Sequence, residues 1–292
     1  MLQENERNKM KSKTARLSFN SKGIAKLLTG GDWHRGTEAC HEGGIRKFLE
    51  SAKRHMWIGM ADMVEAIIPG DKRFAIDEHG MASLMGQLKK TSELIRSSAE
   101  TCIGIVAGNH EGAPSRIIGS LSRAMADYAV VPYLTQTAFI TFDGALAPIK
   151  GFFAHGKLTF NSKAGEYERV KLNREIRLRD YLSCFEADIK VVGHGHRFVC
   201  ARPVEKLKMQ QTSKLEVKRV PIPIKSGWCV MCPAMAMVYA ENCETYAESL
   251  LVDPADLGWV EYIIHRKNGV VAVNHINEDG KIVRTVEREV LA

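Results

Sequence analysis

Five short apolar runs in this chain each stop at a polar cluster. "GIAKLLTGGDWH" ends in Asp32 and His34, "HMWIGMADMVE" in Asp62 and Glu65, and "TCIGIVAGNHE" in Asn109, His110 and Glu111. "IKGFFAHG" ends in His155 and "DIKVVGHGH" in His194 and His196. Runs this short and apolar fit buried strands of a parallel sheet. Helical patterns separate them. "TEACHEGGIRKFLESAKRH" is weakened by Gly43 and Gly44, and "GMASLMGQLKKTSELIRSSAE" has a basic polar face. "RIIGSLSRAMADYA" follows, and "YERVKLNREIRLRDYLSCFE" reads as strongly amphipathic. Strand-rich sequence takes over after the last histidine cluster, in "RVPIPIKSGWCVM", "AMAMVYAE" and "WVEYIIHRKNGVVAVNHINEDGKIVRTVERE". "RKNG" and "NEDG" are hairpin turn signals. The pattern predicts a layered α/β fold whose sheet is extended by antiparallel strands. In such folds, polar loops at the C-terminal ends of parallel strands are where sites are built.

The chain has 292 residues, 45% of them hydrophobic, enough for one large core. No Pro/Gly/Ser-rich linker divides it. The expected organisation is a polar, basic tail or edge segment over residues 1–22 and a single domain over 23–292. The start lacks the apolar segment of a signal peptide, and no stretch reaches the length of a membrane span. Seven scattered cysteines, an odd number, fit a reducing cytosol better than a disulfide framework. A cytoplasmic protein with no membrane partner is therefore expected. The net charge of +7 allows a polyanionic partner such as nucleic acid, and equally a basic protein with a loose tail.

The five clusters offer oxygen and nitrogen donors and no thiolate. That set suits hard or borderline divalent ions. Asp32, His34, Asp62, Asn109, His155, His194 and His196 are seven donors, too many for one ion and enough for two that share a carboxylate. Each cluster alone has an ordinary reading. An Asp-x-His is a common loop accident, Asn-His can be a turn before a capped helix, and a lone His is more often hydrogen-bonded than metal-bound. All five in order, each directly after an apolar strand, make a much stronger joint signal.

The series "GDWH … ADMVE … GNHE … AHG … GHGH" resembles the calcineurin-like metallophosphoesterase superfamily, over residues from about 25 to 200. The later part is vaguely similar to phage-borne members. The resemblance implies a four-layer α/β/β/α sandwich, with mostly antiparallel strands in the C-terminal third. It implies one ion on Asp32, His34 and His196, a second on Asn109, His155 and His194, and an aspartate bridging them. It also implies in-line attack on phosphorus by a hydroxide shared between ions roughly 3.5–4 Å apart, with His110 as general acid. Asp32 or Glu111 is the expected orienting partner of His110. The expected cofactors are two divalent ions, Mn²⁺ first, with Fe, Mg, Zn or Ni as alternatives. Glu65 stands where purple acid phosphatases have tyrosine, which argues against an Fe(III) site.

Two aspartates compete for the bridging role. Asp62 directly follows an apolar run. Asp71 has the Gly-Asp pairing that the superfamily favours, but it lies beyond Pro69 in a turn-like loop. Asp62 is the expected bridge, with Ala61 in place of the usual glycine, tolerable if its φ is negative. Asp71 is then a loop residue, or part of a substrate-facing loop with Lys72 and Arg73.

"GWCVMCP" is similar to the Trp-Cys-x-x-Cys of thioredoxins. It lies in β-rich sequence rather than at a helix start, so Cys229 and Cys232 read as buried strand cysteines. A zinc site on Cys229, Cys232 and Cys243 lacks a fourth ligand. "LLTGGDWHRG" lacks the Lys-Ser/Thr of a phosphate-binding loop. His41, His55, His79, His265 and His275 fall outside the motifs. Three functions are compatible: a phosphodiesterase that includes nucleases, a phosphomonoesterase on a small molecule or protein, and a catalytically dead binding scaffold. The presence of every expected donor and of His110 disfavours the last.

Overall fold

The computed structural model describes residues 12–66, 83–112, 114, 119–157, 162, 164–203, 205–211, 217–223, 227–240, 245, 248 and 253–288. The first strands in chain order are β1 (Ser12–Arg16), β2 (Ile24–Gly30), β3 (Met56–Gly59), β4 (Cys102–Ile105), β5 (Thr137–Asp143), β6 (Ile149–Ala154) and β7 (Ile189–Val192). They are followed by β8 (Val199–Ala201), β9 (Glu205–Gln211), β10 (Val217–Pro223), β11 (Trp228–Met231), β12 (Trp259–His265), β13 (Gly269–Ile276) and β14 (Ile282–Glu287). The α-helices are α1 (Glu42–Ala52), α2 (Leu84–Arg96), α3 (Leu121–Ala129) and α4 (Tyr167–Tyr181).

One six-stranded sheet runs β14-β13-β12-β2-β3-β4, and a second runs β1-β5-β6-β7-β11-β8. β9 and β10 form a separate hairpin. The two-residue period of each strand assigns its side chains to layers. Leu27, Ile58 and Tyr262 of the first sheet meet Phe142, Phe153 and Val191 of the second in the central core. The alternate residues Leu28 and Trp57 pack outward with Ile45 and Phe48 of α1. Phe152 and Ala154 face the other way, toward Leu178 of α4 and Leu182 just beyond it. The result is four layers, helix on sheet on sheet on helix, with antiparallel C-terminal strands β12, β13 and β14.

Helix starts are set by side chains that satisfy otherwise unpaired N–H groups. His41 accepts from Gly44 N–H, Ser83 from Gly86 N–H and Ser120 from Arg123 N–H. Gly43 and Gly44 therefore sit in the first turn of α1, where a helix interior is not yet required of them. β1 pairs in parallel with β5 and is the edge of its sheet, so residues 12–16 form an edge strand.

Two sequence expectations change. "AMAMVYAE" contains no strand among the described residues. Ala234 and Ala236 make only isolated bridges, and Met235 N–H donates to Asp32 O at 3.0 Å. This segment crosses strand ends and binds a loop, so no neighbouring strand is available to pair with it. The second change is α4, which buries only Leu178, while Leu172 and Ile176 are exposed. Arg and Lys interrupt its apolar positions, so no continuous stripe forms. No helix among the described residues is long and apolar enough to cross a membrane.

Candidate metal centre

β2, β3 and β4 are parallel neighbours, and so are β6 and β7 in the facing sheet. The loops that follow these five strands lie together and bond to one another. Asp32 N–H donates to Ala61 O at 2.9 Å, and His34 N–H to Asp62 O at 3.0 Å. His194 N–H donates to Asp32 Oδ2 at 3.0 Å and ties the two sheets together. Gly108 is required by this closeness, because a Cβ there would collide with Asp62 Oδ1.

The backbone here is strained. Nine described non-glycine residues have positive φ, and six of them are Asp32 (49°), His34 (48°), Ala61 (73°), Asp62 (46°), His194 (68°) and His196 (51°). Each left-handed residue costs roughly 1–2 kcal/mol, and such strain concentrates where a site must hold side chains in a fixed direction. Ala61 is expected to be tolerable in this turn with a negative φ. The structure corrects that: the turn needs a left-handed residue, and alanine occupies it.

Side chains then converge in two adjoining groups. In one, Asp32, His34 and His196 present ligand atoms within 4.8 Å of one another. His34 Nε2 lies 3.2 Å from His196 Nε2, which lies 3.6 Å from Asp32 Oδ1. In the other, Asp62, His155 and His194 do the same. His155 Nε2 is 2.9 Å from Asp62 Oδ2. Asp32, Asp62, His155 and His34 are buried, whereas His194, His196, Asn109 and His110 are partly exposed and form the open side.

Asn109 tests whether this donor set fits a cation. The amide atom nearest the second group lies 2.9 Å from His194 Nδ1, 3.0 Å from His155 Nε2 and 3.2 Å from Asp62 Oδ2. With the amide oxygen there, four acceptors converge on one point, as the ligands of a cation do. With the amide turned, its two N–H groups can serve His194 Nδ1 and Asp62 Oδ2. The oxygen and nitrogen donors fit divalent ions.

Groups behind the donors aim them. His155 Nδ1 bonds Met60 O at 3.1 Å, which leaves Nε2 toward the cluster. His34 Nδ1 is 2.6 Å from Glu65 Oε2, which again leaves Nε2 inward. Glu65 also holds His110, whose Nδ1 is 2.9 Å from Glu65 O and 3.3 Å from Oε1. The expectation that Asp32 or Glu111 orients His110 is therefore corrected to Glu65. The Asp-x-x-Glu spacing was visible in the sequence, but which histidines it reached was not. Glu111 instead accepts from Met63 N–H at 2.7 Å and braces the loop bearing Asp62.

The electrostatics follow from burial working against these pairings. Burial opposes charge on Asp62, but His155 and its hydrogen bond outweigh it and hold the carboxyl well below the usual range. Burial likewise opposes charge on Glu65, and His34 and His110 overcome it. Burial pushes Asp32 up to about 6, with Asp62 adding to the rise. His155 is raised to about 10 because Asp62 outweighs its burial, and His110 to about 9 because Glu65 and Asp62 do. Burial and the charge on His155 lower His194 to about 4, and burial with the charge on His34 holds His196 well below the usual imidazole range.

Asp71 lies outside the described residues, as do Pro69, Lys72, Arg73 and Cys243. Cys229 and Cys232 are free, buried thiols in and just after β11.

No protein-family model and no curated protein matches the sequence. Among solved structures, the chain is similar to GAP50, the anchor in the inner membrane complex of Plasmodium. That match has 11% identity and a TM-score of 0.47, over 93% of this chain and 90% of that one. It is also similar to a conserved uncharacterised protein, a predicted phosphoesterase, from Streptococcus pneumoniae. There the identity is 12% and the TM-score 0.35, over 91% of this chain and 98% of that one. Likenesses this distant carry no chemistry, which has to come from the site itself.

Proposed function

We propose that this chain is a dinuclear metal-dependent phosphoesterase acting on phosphodiester bonds. The observation that supports it is the convergence of seven oxygen and nitrogen donors from five strand ends into two adjoining, strained and largely buried groups. Asp32, His34 and His196 would hold one ion, Asn109, His155 and His194 the other, and Asp62 would serve both. When bound, two divalent ions supply Lewis acidity toward phosphoryl oxygens and a water acidified toward neutral pH. Mn²⁺ is the first choice.

His110 serves as the general acid. Its Nδ1 is engaged by Glu65, which makes Nε2 the nitrogen that passes a proton to the leaving oxygen. Against the effect of its burial, the Glu65 carboxylate beside its ring favours the protonated form that a general acid needs. The net charge of +7 is compatible with a polyanionic substrate such as a nucleic acid.

The test is an Mn²⁺-dependent assay on bis-p-nitrophenyl phosphate, p-nitrophenyl phosphate, and labelled single- and double-stranded DNA. Metal-dependent diester cleavage that is lost in Asp62→Asn is expected. Activity on the monoester alone would sink the diester reading, and an undiminished Asp62→Asn variant would sink the metal role.

A further inference from the structure

A cavity of about 250 Å³ opens beside the donor cluster, and Asn109 and His155 form part of its wall. The rest is more apolar than polar, with Phe152, Tyr181, Leu182 and Phe185 among its lining. Two larger clefts along α4 differ in kind, since each has several Arg, Lys and Glu side chains in its lining.

The cavity exists because of where α4 lies. The helix packs over β8 and β11. Phe139 and Phe152 line the outer face of neighbouring β5 and β6, and they are covered chiefly by Phe185 from the turn after α4. Phe152 and Phe185 stack with ring centroids 3.8 Å apart and 13° between planes. Phe139 sits 5.2 Å from Phe152. Phe152 is 1% exposed, whereas Phe185 is only partly buried. The column of rings thus begins in the core and ends at the cavity. Gln136, Thr137 and the exposed Lys157 supply polar groups to the same lining.

We infer that this cavity seats a flat aromatic group carried by the substrate's phosphate ester, a nucleobase or an aryl ring, stacked on Phe185. The inference rests on the phosphoesterase reading for the position of the phosphate. A phosphoryl group at Asn109 and His155 places its ester substituent against a wall that those two residues share. A partly exposed aromatic ring in the lining beside a charged centre suits a ring with polar edges, which gains aromatic contact and keeps hydrogen bonds to Gln136 or Thr137. An alkyl group would fill the space without that stacking. Lys157 adds a cation for the phosphate's remaining charge.

Phenylphosphonate and methylphosphonate separate the two cases, since their P–C bonds resist hydrolysis. Their affinities for the Mn²⁺-loaded protein are measured by calorimetry. Phenylphosphonate is expected to bind at least about tenfold tighter to wild type, the scale of one stacking contact. The preference should fall toward unity in Phe185→Ala and Phe185→Leu, with melting curves confirming that both variants fold. Equal affinity in wild type, binding of neither phosphonate, or a preference that survives both replacements overturns the inference. A phenyl preference in a protein that hydrolyses no ester keeps the aromatic site and removes the phosphoesterase reading.

Discussion

Ala61 shows how opposing terms balance at a single residue. Its φ of 73° costs roughly 1–2 kcal/mol relative to glycine. Its buried methyl returns about 0.8 kcal/mol, and alanine restricts the unfolded chain by about 0.4–1 kcal/mol relative to glycine. The sum is close to zero, which explains how alanine stands in a turn that favours glycine. Ala61→Gly is expected to shift stability by less than about 1 kcal/mol. Ala61→Val, which puts a branched Cβ at positive φ, should destabilise by more than about 2 kcal/mol. Denaturant melts of both variants measure this. Glu65 makes the second prediction at this scale. It touches both His34 and His110, so Glu65→Gln should fold normally and bind Mn²⁺ about 10–100-fold more weakly. Equilibrium dialysis reads the affinity, and unchanged binding would remove Glu65 from the site.

Among the elements, the edge strand β1 gives a direct test. Ser12–Arg16 covers one side of β5, and the adjoining Leu17 is 4% exposed. Deleting residues 1–17 should uncover a sheet edge, lower the melting temperature and promote association. An unchanged melting temperature and a monodisperse product would show that β1 contributes nothing. At this scale, too, the limits of the sequence show. Strands ending in histidine or aspartate were legible because burial makes them short and apolar, and the turns "RKNG" and "NEDG" marked β12, β13 and β14 through their glycines. "AMAMVYAE" looked the same by composition, but it is buried by lying across strand ends rather than between strands. Apolar content reports burial and not pairing. That these donors lie close together was readable for the same reason as the strands, because each follows one. The role of Glu65 was not, since it depends on how the loops after β2, β3 and β4 lie against each other. The left-handed φ of Ala61 was equally hidden, because alanine does not announce it.

At the scale of the molecule, the donors divide between the sheets. Asp32, His34, Asp62 and Asn109 follow strands of one, and His155, His194 and His196 follow strands of the other. Ions bound across this seam favour only the state in which both sheets are docked. Mn²⁺ at about 100 times its dissociation constant should stabilise the fold by about 2.7 kcal/mol, raising the melting temperature by roughly 5 °C or more. A chelator should reverse the rise, and a melting temperature indifferent to both would contradict a centre spanning the seam. The pairing of β2 with β12, with Thr29 opposite Val260, has a consequence in time. A ribosome has already released every one of the seven donors when it reaches Leu257, yet the strand that flanks β2 has not been made. Local contacts cannot hurry this closure, because residues that pair across it, such as Lys26 and Glu261, are 235 positions apart. A fragment ending at Leu257 should carry all seven donors and retain no Mn²⁺ on dialysis, so the nascent protein would acquire metal only once β12 has been made.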